Sequence, residues 1–109
     1  MGHPKFTIAK SSKGTFRFNL TAKNGQVILS SESYKSSSGC KNGIKSVQKN
    51  GRLKKRFETN QAKNGKHYFN LKAGNHQIIG TSEMYNTAAA MENGIKSVIE
   101  NSKKAKIES

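Results

Sequence analysis

The amino-acid sequence predicts an α+β fold: two tandem β-β-β-α(-β) repeats that share one antiparallel sheet and carry their helices on one face. Internal repetition is the first reason. Asn42-Gly43-Ile44-Lys45-Ser46-Val47 returns unchanged as Asn93-Gly94-Ile95-Lys96-Ser97-Val98. The same spacing pairs Phe6 with Phe57, Phe18-Asn19-Leu20 with Phe69-Asn70-Leu71, and Tyr34 with Tyr85, without a gap. A second reason is the alternation of apolar and polar residues ahead of each hexapeptide, the period of a half-buried strand. The third is the change to helical spacing within it: Cys40, Ile44 and Val47, then Met91, Ile95 and Val98, stand at i, i+4, i+7. The shared positions are mostly apolar residues and glycines, so the repeat is a folding unit. Residues 5–51 and 55–109 are read as the two repeats of one domain over 1–109, since a unit of about 50 residues buries little alone.

Taken in order, residues 5–10 read as a strand through Phe6 and Ile8, and Ser11-Ser12-Lys13-Gly14 as a turn. Residues 15–21 place Phe16, Phe18 and Leu20 on one face and Arg17 and Asn19 on the other. Asn24-Gly25 predicts a type I′ hairpin with both central residues at positive φ, and residues 26–30 form the third strand. A polar connection with Tyr34 leads to a helix over 37–50, stopped by Asn50-Gly51. Gly43 inside that helix costs about 1 kcal/mol relative to Ala. Close approach of helix to sheet would compensate; contact with a ligand is the alternative reading. In the second repeat a strand opens at Phe57 or from about Lys55. Residues 62–65 turn, 66–72 and 77–81 are strands around a turn at 74–76, and 88–101 is the helix. The tail, residues 103–109, either adds a short edge strand or frays.

The residues Gly14, Phe16, Phe18, Leu20, Ala22, Asn24, Gly25, Gln26, Ile28, Ser31, Glu32, Tyr34 and 42–47, with their partners in the second repeat, form a pattern covering nearly the whole chain. That pattern resembles the YegP-like family of uncharacterised bacterial proteins. The resemblance implies one curved sheet, a half-barrel, shared by both units, with single-unit relatives reaching the same arrangement as homodimers. It brings no established activity and no site residues. His76 departs from the pattern by replacing a turn glycine, which implies a looser hairpin or one of another type.

Composition narrows the function classes. Twenty Lys and Arg face six Glu, giving a formal charge of +14 and a pI near 10.2. Such a balance attracts polyanions: nucleic acid first, an anionic membrane surface second, with plain solubility as the bland reading. Mean hydropathy is −0.79, yet the periodicity argues against disorder. The single Cys40 excludes an internal disulfide and fits a reducing compartment. No run approaches the length of a membrane span, and Met1-Gly2-His3-Pro4 lacks the apolar core of a signal peptide, so a cytoplasmic protein without membrane insertion is expected. No activity, metal or cofactor is expected. Cys40, His3, His67 and His76 show no ligand spacing, and Cys40 falls in an apolar helix slot. The equivalent pair Glu32 and Glu83 could meet as an acid/base couple, but a local cap or loop anchor ahead of each helix is the preferred reading.

The remaining lead is electrostatic. Lys41, Lys45 and Lys49 form a row on the polar side of the first helix; the second helix has Glu92, Lys96 and Glu100 there, expected as an ion-pair ladder. Residues 1–51 carry a net +8, residues 52–56 a further +4, and residues 57–109 only +2. The expected function is therefore a non-enzymatic, sequence-indifferent contact with nucleic acid or another polyanion through Lys41, Lys45, Lys49, Arg52, Lys54, Lys55 and Arg56. A solvated lysine face is the competing plain reading. The alternative function is a protein-interaction or small-ligand module on the concave sheet surface. Tyr68, on the outer face of its strand, could stack on a base; no base-reading motif is present. A monomer with an internal pseudo-twofold is expected.

Overall fold

The structure, a computed structural model, describes residues 3–108. Met1, Gly2 and Ser109, to which the readings of the amino terminus and the tail extended, lie outside the described residues. The chain runs β1 (Lys5–Lys10), β2 (Phe16–Thr21), β3 (Val27–Ser31), α1 (Ser37–Asn50), β4 (Phe57–Gln61), β5 (His67–Lys72), β6 (Ile78–Thr81), α2 (Ala88–Asn101) and β7 (Lys106–Glu108). These strands form one seven-stranded sheet in the order β4-β5-β6-β3-β2-β1-β7. Every pairing is antiparallel except β1 with β7. The tail thus adds an edge strand, but a parallel one. Beyond α2 the chain turns on Asn101, whose carbonyl accepts from Lys104 N and Ala105 N at 3.1 and 2.9 Å. It then lies beside β1 with Lys5 opposite Lys106 and Phe6 opposite Ile107.

The repeats meet at the centre of the sheet. Ser30 of β3 pairs with Thr81 of β6, and these two residues are repeat equivalents. A residue paired with its own counterpart marks a local twofold axis. The bulges obey the same symmetry: the register shifts after Leu20 in one repeat and after Leu71 in the other. α1 packs on β2 of its own repeat and on β5 and β6 of the other, while α2 packs on β5 and β3. Phe6, Phe18, Leu20, Leu29, Ile44 and Val47 therefore share one core with Phe69, Leu71, Ile95 and Val98, all at most 2% exposed. Burial of this apolar surface is the main favourable term in the fold.

Each helix opens where a hydroxyl can satisfy its free amides. Ser36 Oγ accepts from Gly39 N at 3.0 Å and Thr87 Oγ1 from Ala90 N at 3.0 Å. The caps are therefore Ser36 and Thr87; Glu32 and Glu83 are exposed and stand too far ahead of the first turn. Their neighbours, buried Ser31 and Ser82, act instead. Ser31 Oγ accepts from Phe18 N at 2.9 Å and donates to Glu32 O at 2.7 Å. Ser82 does the same with Phe69 N and Glu83 O, at 2.9 and 2.8 Å.

The hairpin at Asn24-Gly25 is not the two-residue type I′ turn. Ala22 N donates to Gln26 O at 2.9 Å and Gly25 N to Ala22 O at 3.0 Å, and only Gly25 takes a positive φ, +85°. That is a three-residue loop, a type I turn closed by one left-handed residue. The loops at 11–15, 62–66 and 73–77 repeat its hydrogen bonds. In the last, His76 occupies the left-handed position at φ +69°, so the hairpin is neither looser nor of another type. The histidine carries the strain that glycine avoids. Residues 54–56 form a 3-10 turn rather than an early start to β4.

Gly43 and Gly94 are explained by close packing. A Cβ at Gly43 would stand 2.6 Å from Tyr34 Cζ and 3.0 Å from Phe18 Cε2; one at Gly94 would stand 2.7 Å from Tyr85 Cζ and 3.2 Å from Phe69 Cε2. Each tyrosine is anchored ahead of its helix by two backbone bonds, Tyr34 to Phe16 at 2.7 and 2.8 Å and Tyr85 to His67 at 2.8 and 2.7 Å. Their rings stack on Phe18 and Phe69 with centroids 6.2 and 6.4 Å apart. Burial pushes both phenols above the ordinary tyrosine range. The helix stops at Asn50-Gly51 as expected, with Gly51 at φ −65° rather than in the left-handed region. The glycine is required for space, because a Cβ there would lie 2.8 Å from Ser102 Oγ.

Candidate functional site

The apolar stripe of α1 sets the direction of its polar side. With Cys40, Ile44 and Val47 fully buried, Lys41, Lys45 and Lys49 face solvent as a row, adjacent members one turn apart. Lys49 also lies in the last turn, where a cation meets the negative end of the helix dipole.

The end of α1 is built around Asn50, which is 5% exposed. Its Nδ2 donates to Ser46 O at 2.9 Å and to Ser46 Oγ at 3.2 Å. The connection then folds back: Leu53 N donates to Asn50 O at 3.0 Å, and Arg56 N to Leu53 O at 3.0 Å. This return brings Arg56 Nε within 3.2 Å of Asn50 Oδ1, to which it donates. Between α1 and the β5–β6 loop lies an open cleft of about 460 Å³. Lys45, Lys49 and Arg56 line it with Asn42, Ser46 and Asn75, and no carboxylate among the described residues does.

Of the seven basic residues singled out in the sequence, the cleft gathers three. Lys41 is exposed on the same helix but is not a lining residue. Lys54 turns towards α2, its Nζ 3.8 Å from Glu92 Oε1. Lys55 lines a neighbouring groove with Arg56, Glu58, Lys72 and His76. In that groove Lys72 donates to Glu58 Oε2 at 2.9 Å. The hydrogen bond and charge of Lys72 hold the Glu58 carboxyl below its ordinary pKa. Arg52 is exposed. The expected ladder on α2 does not form: the Glu92 ion pair goes to Lys54, and neither Lys96 nor Glu100 takes part in an ion pair among the described residues. Exposed pairs one turn apart are worth only a few tenths of a kcal/mol, so a nearby cation readily competes.

Sequence reasoning missed Asn75 and the role of Asn50. Asn50 looked like part of a helix stop, and Asn75 like an ordinary turn residue. The one available signal was that Lys49 has Glu100 as its counterpart although Asn50 and Asn101 agree. Cys40 is buried in its helix slot, where desolvation raises its pKa and opposes thiolate chemistry. Among the described residues no three His, Cys, Asp or Glu side chains converge as a metal site, and no helix is long and apolar enough to cross a membrane. Tyr68 is half-buried.

Comparison with known proteins gives a consistent result. The family described as Domain of unknown function (DUF1508) matches twice, over residues 11–58 and 62–109. A UPF0339 protein of Shewanella oneidensis is 57% identical over 98 residues, covering 90% of this chain and 89% of that protein. The UPF0339 protein YegP of Escherichia coli strain K12 is 54% identical over 93 residues, covering 85% and 84%. A solution NMR structure of yegP from E. coli, described as a protein of unknown function, superposes with a TM-score of 0.92 at 47% identity. It covers 99% of this chain and 93% of that one.

Proposed function

The chain belongs to the DUF1508 family, and from that footing we propose that it acts by binding rather than catalysis, taking up nucleic acid or another polyanion weakly and without regard to sequence. The observation that supports this is the uneven charge. α1 exposes Lys41, Lys45 and Lys49, with Arg56 of the following connection alongside. The places on α2 equivalent to the three lysines hold Glu92, Lys96 and Glu100. Three lysines in a row repel one another, and a phosphate backbone relieves that repulsion while releasing counterions. Of the other basic residues singled out, Arg52 is exposed, while Lys54 pairs with Glu92 and Lys55 lines a neighbouring groove. A ligand beneath the helices would have to displace Ile44, Val47, Ile95 and Val98, which fill the space there; this weighs against the concave-surface alternative.

A salt titration tests the reading. Four phosphate contacts on a single strand give a slope of log K against log salt of about −3. The triple variant Lys41/Lys45/Lys49→Glu should abolish binding at low salt while leaving the unfolding midpoint within a few degrees. Binding that ignores salt, or survives the triple variant, would overturn it.

A further inference from the structure

We infer that the cleft between α1 and the β5–β6 loop seats one phosphate group, gripped by the Arg56 guanidinium and neutralised by Lys45 and Lys49. This rests on the polyanion reading and sharpens it from a charged face to a built site.

Arg56 is held for the task. Its Nε is committed to Asn50 Oδ1 at 3.2 Å, and Asn50 is itself buried and tied to Ser46 O at 2.9 Å. That pairing orients the guanidinium plane. No hydrogen bond engages its terminal amines among the described residues, so two parallel donors stay free. A fixed fork of that kind matches two oxygens of a phosphate, which an ammonium group cannot do.

The rest of the lining supplies donors. Asn75 Oδ1 is already taken by Gln77 N at 3.1 Å, which leaves its amide nitrogen to donate. Ser46 Oγ accepts from Asn50 Nδ2 at 3.2 Å and keeps its hydroxyl hydrogen. Lys45 and Lys49 add charge without an opposing carboxylate in the cleft. A volume of about 460 Å³ falls in the range of small-molecule sites. It leaves room for whatever the phosphate is attached to.

The second repeat separates fold from site. Asn101 keeps the same tie, donating to Ser97 O at 2.8 Å and Ser97 Oγ at 3.1 Å. Yet Lys5, which precedes Phe6 as Arg56 precedes Phe57, has its Nζ 3.6 Å from Glu108 Oε1 and makes no hydrogen bond to Asn101 among the described residues, and Glu100 stands where Lys49 would be. The asparagine–serine tie thus belongs to the repeat. The arginine bonded to it, with lysines and no carboxylate among the described residues lining the cleft beside it, is found at the end of α1 and not at the end of α2.

The full chain should be titrated by NMR at constant ionic strength with inorganic phosphate, a 5′-phosphorylated dinucleotide, its unphosphorylated counterpart and a single-stranded oligonucleotide. Saturable shifts are expected at the Arg56 Nε–H and the Asn50 and Asn75 side-chain amides. Arg56→Lys, which keeps the charge and loses the fork, should weaken binding about tenfold. Lys45→Gln should weaken it several-fold, and Lys41→Gln, removing the same charge outside the cleft, less than twofold. A tighter phosphorylated dinucleotide assigns the seat to a terminal phosphate, and a tighter oligonucleotide to a backbone phosphodiester; either supports it. If Arg56→Lys binds like the wild type, or Lys41→Gln and Lys45→Gln weaken binding equally, the seat is overturned while the polyanion reading survives. If neither the phosphorylated dinucleotide nor the oligonucleotide binds, both fall.

Discussion

The two repeats are alike where each faces the shared core and unlike in two other places: on the axis between them and on the outside. Off the axis, identical residues do identical work. Gly43 with Tyr34 and Gly94 with Tyr85 are the same notch filled by the same ring. On the axis a residue meets its own counterpart, and two large side chains cannot share one space. Leu29 is fully buried, and its counterpart is Gly80, where a Cβ would lie 2.9 Å from Leu29 Cγ and from Ser30 O. At the helix ends the assignment is reversed: the first repeat has Gly51, packed against its counterpart Ser102. Ser102 is fully buried, and its hydroxyl has no hydrogen-bond partner among the described residues. A fused chain can therefore make its halves complementary at the axis, which identical subunits cannot do. The outside is under no such constraint, and there the two surfaces have diverged in charge.

The axis can be broken most severely. Gly80→Leu restores equivalence between the repeats and should cost about 3 kcal/mol or more through overpacking against backbone as well as side chain. Leu29→Gly leaves a cavity and should cost about 3–5 kcal/mol. The exchange variant, carrying both changes, should recover at least half of the summed loss in urea denaturation. Strictly additive losses would mean that the two positions do not share one space.

The notch sharpens the comparison from the other side. Gly43→Ala and Gly94→Ala should each cost about 1–3 kcal/mol, although alanine is the better helix former. Because the tyrosines and phenylalanines match, the two losses should agree to within about 0.5 kcal/mol. A large difference in thermal or chemical denaturation would show that the repeats are not equivalent even in the core.

The smallest effect is expected at the hairpins. The loop at 22–26 places glycine at the left-handed position and the loop at 73–77 places His76 there. His76→Gly should therefore stabilise the protein by about 1 kcal/mol, raising the midpoint by a few degrees. No gain would mean that the imidazole has a compensating partner.

How much was legible follows from how local each feature is. Alternation and the i, i+4, i+7 stripe placed strands and helices to within a residue or so, with α1 and α2 at the expected bounds. The site was half legible. The row Lys41, Lys45, Lys49 needs only helical geometry. The cleft needs the fold-back of residues 51–56 onto Asn50 and the approach of Asn75 from another element. Neither leaves a periodic trace, and so Lys54 and Lys55 could not be told from Arg56.

By itself the sequence determined the repeat, the order of its elements and the faces they bury, because those depend on neighbours a few residues apart. Tertiary structure alone decided the rest. It paired β3 with β6 on the axis, set Leu29 against Gly80 and Gly51 against Ser102, and laid β7 parallel to β1. It also turned one of four adjacent basic side chains into the cleft. Each of these joins residues distant along the chain, and the steric fit that selects among such contacts exists only once both partners are in place.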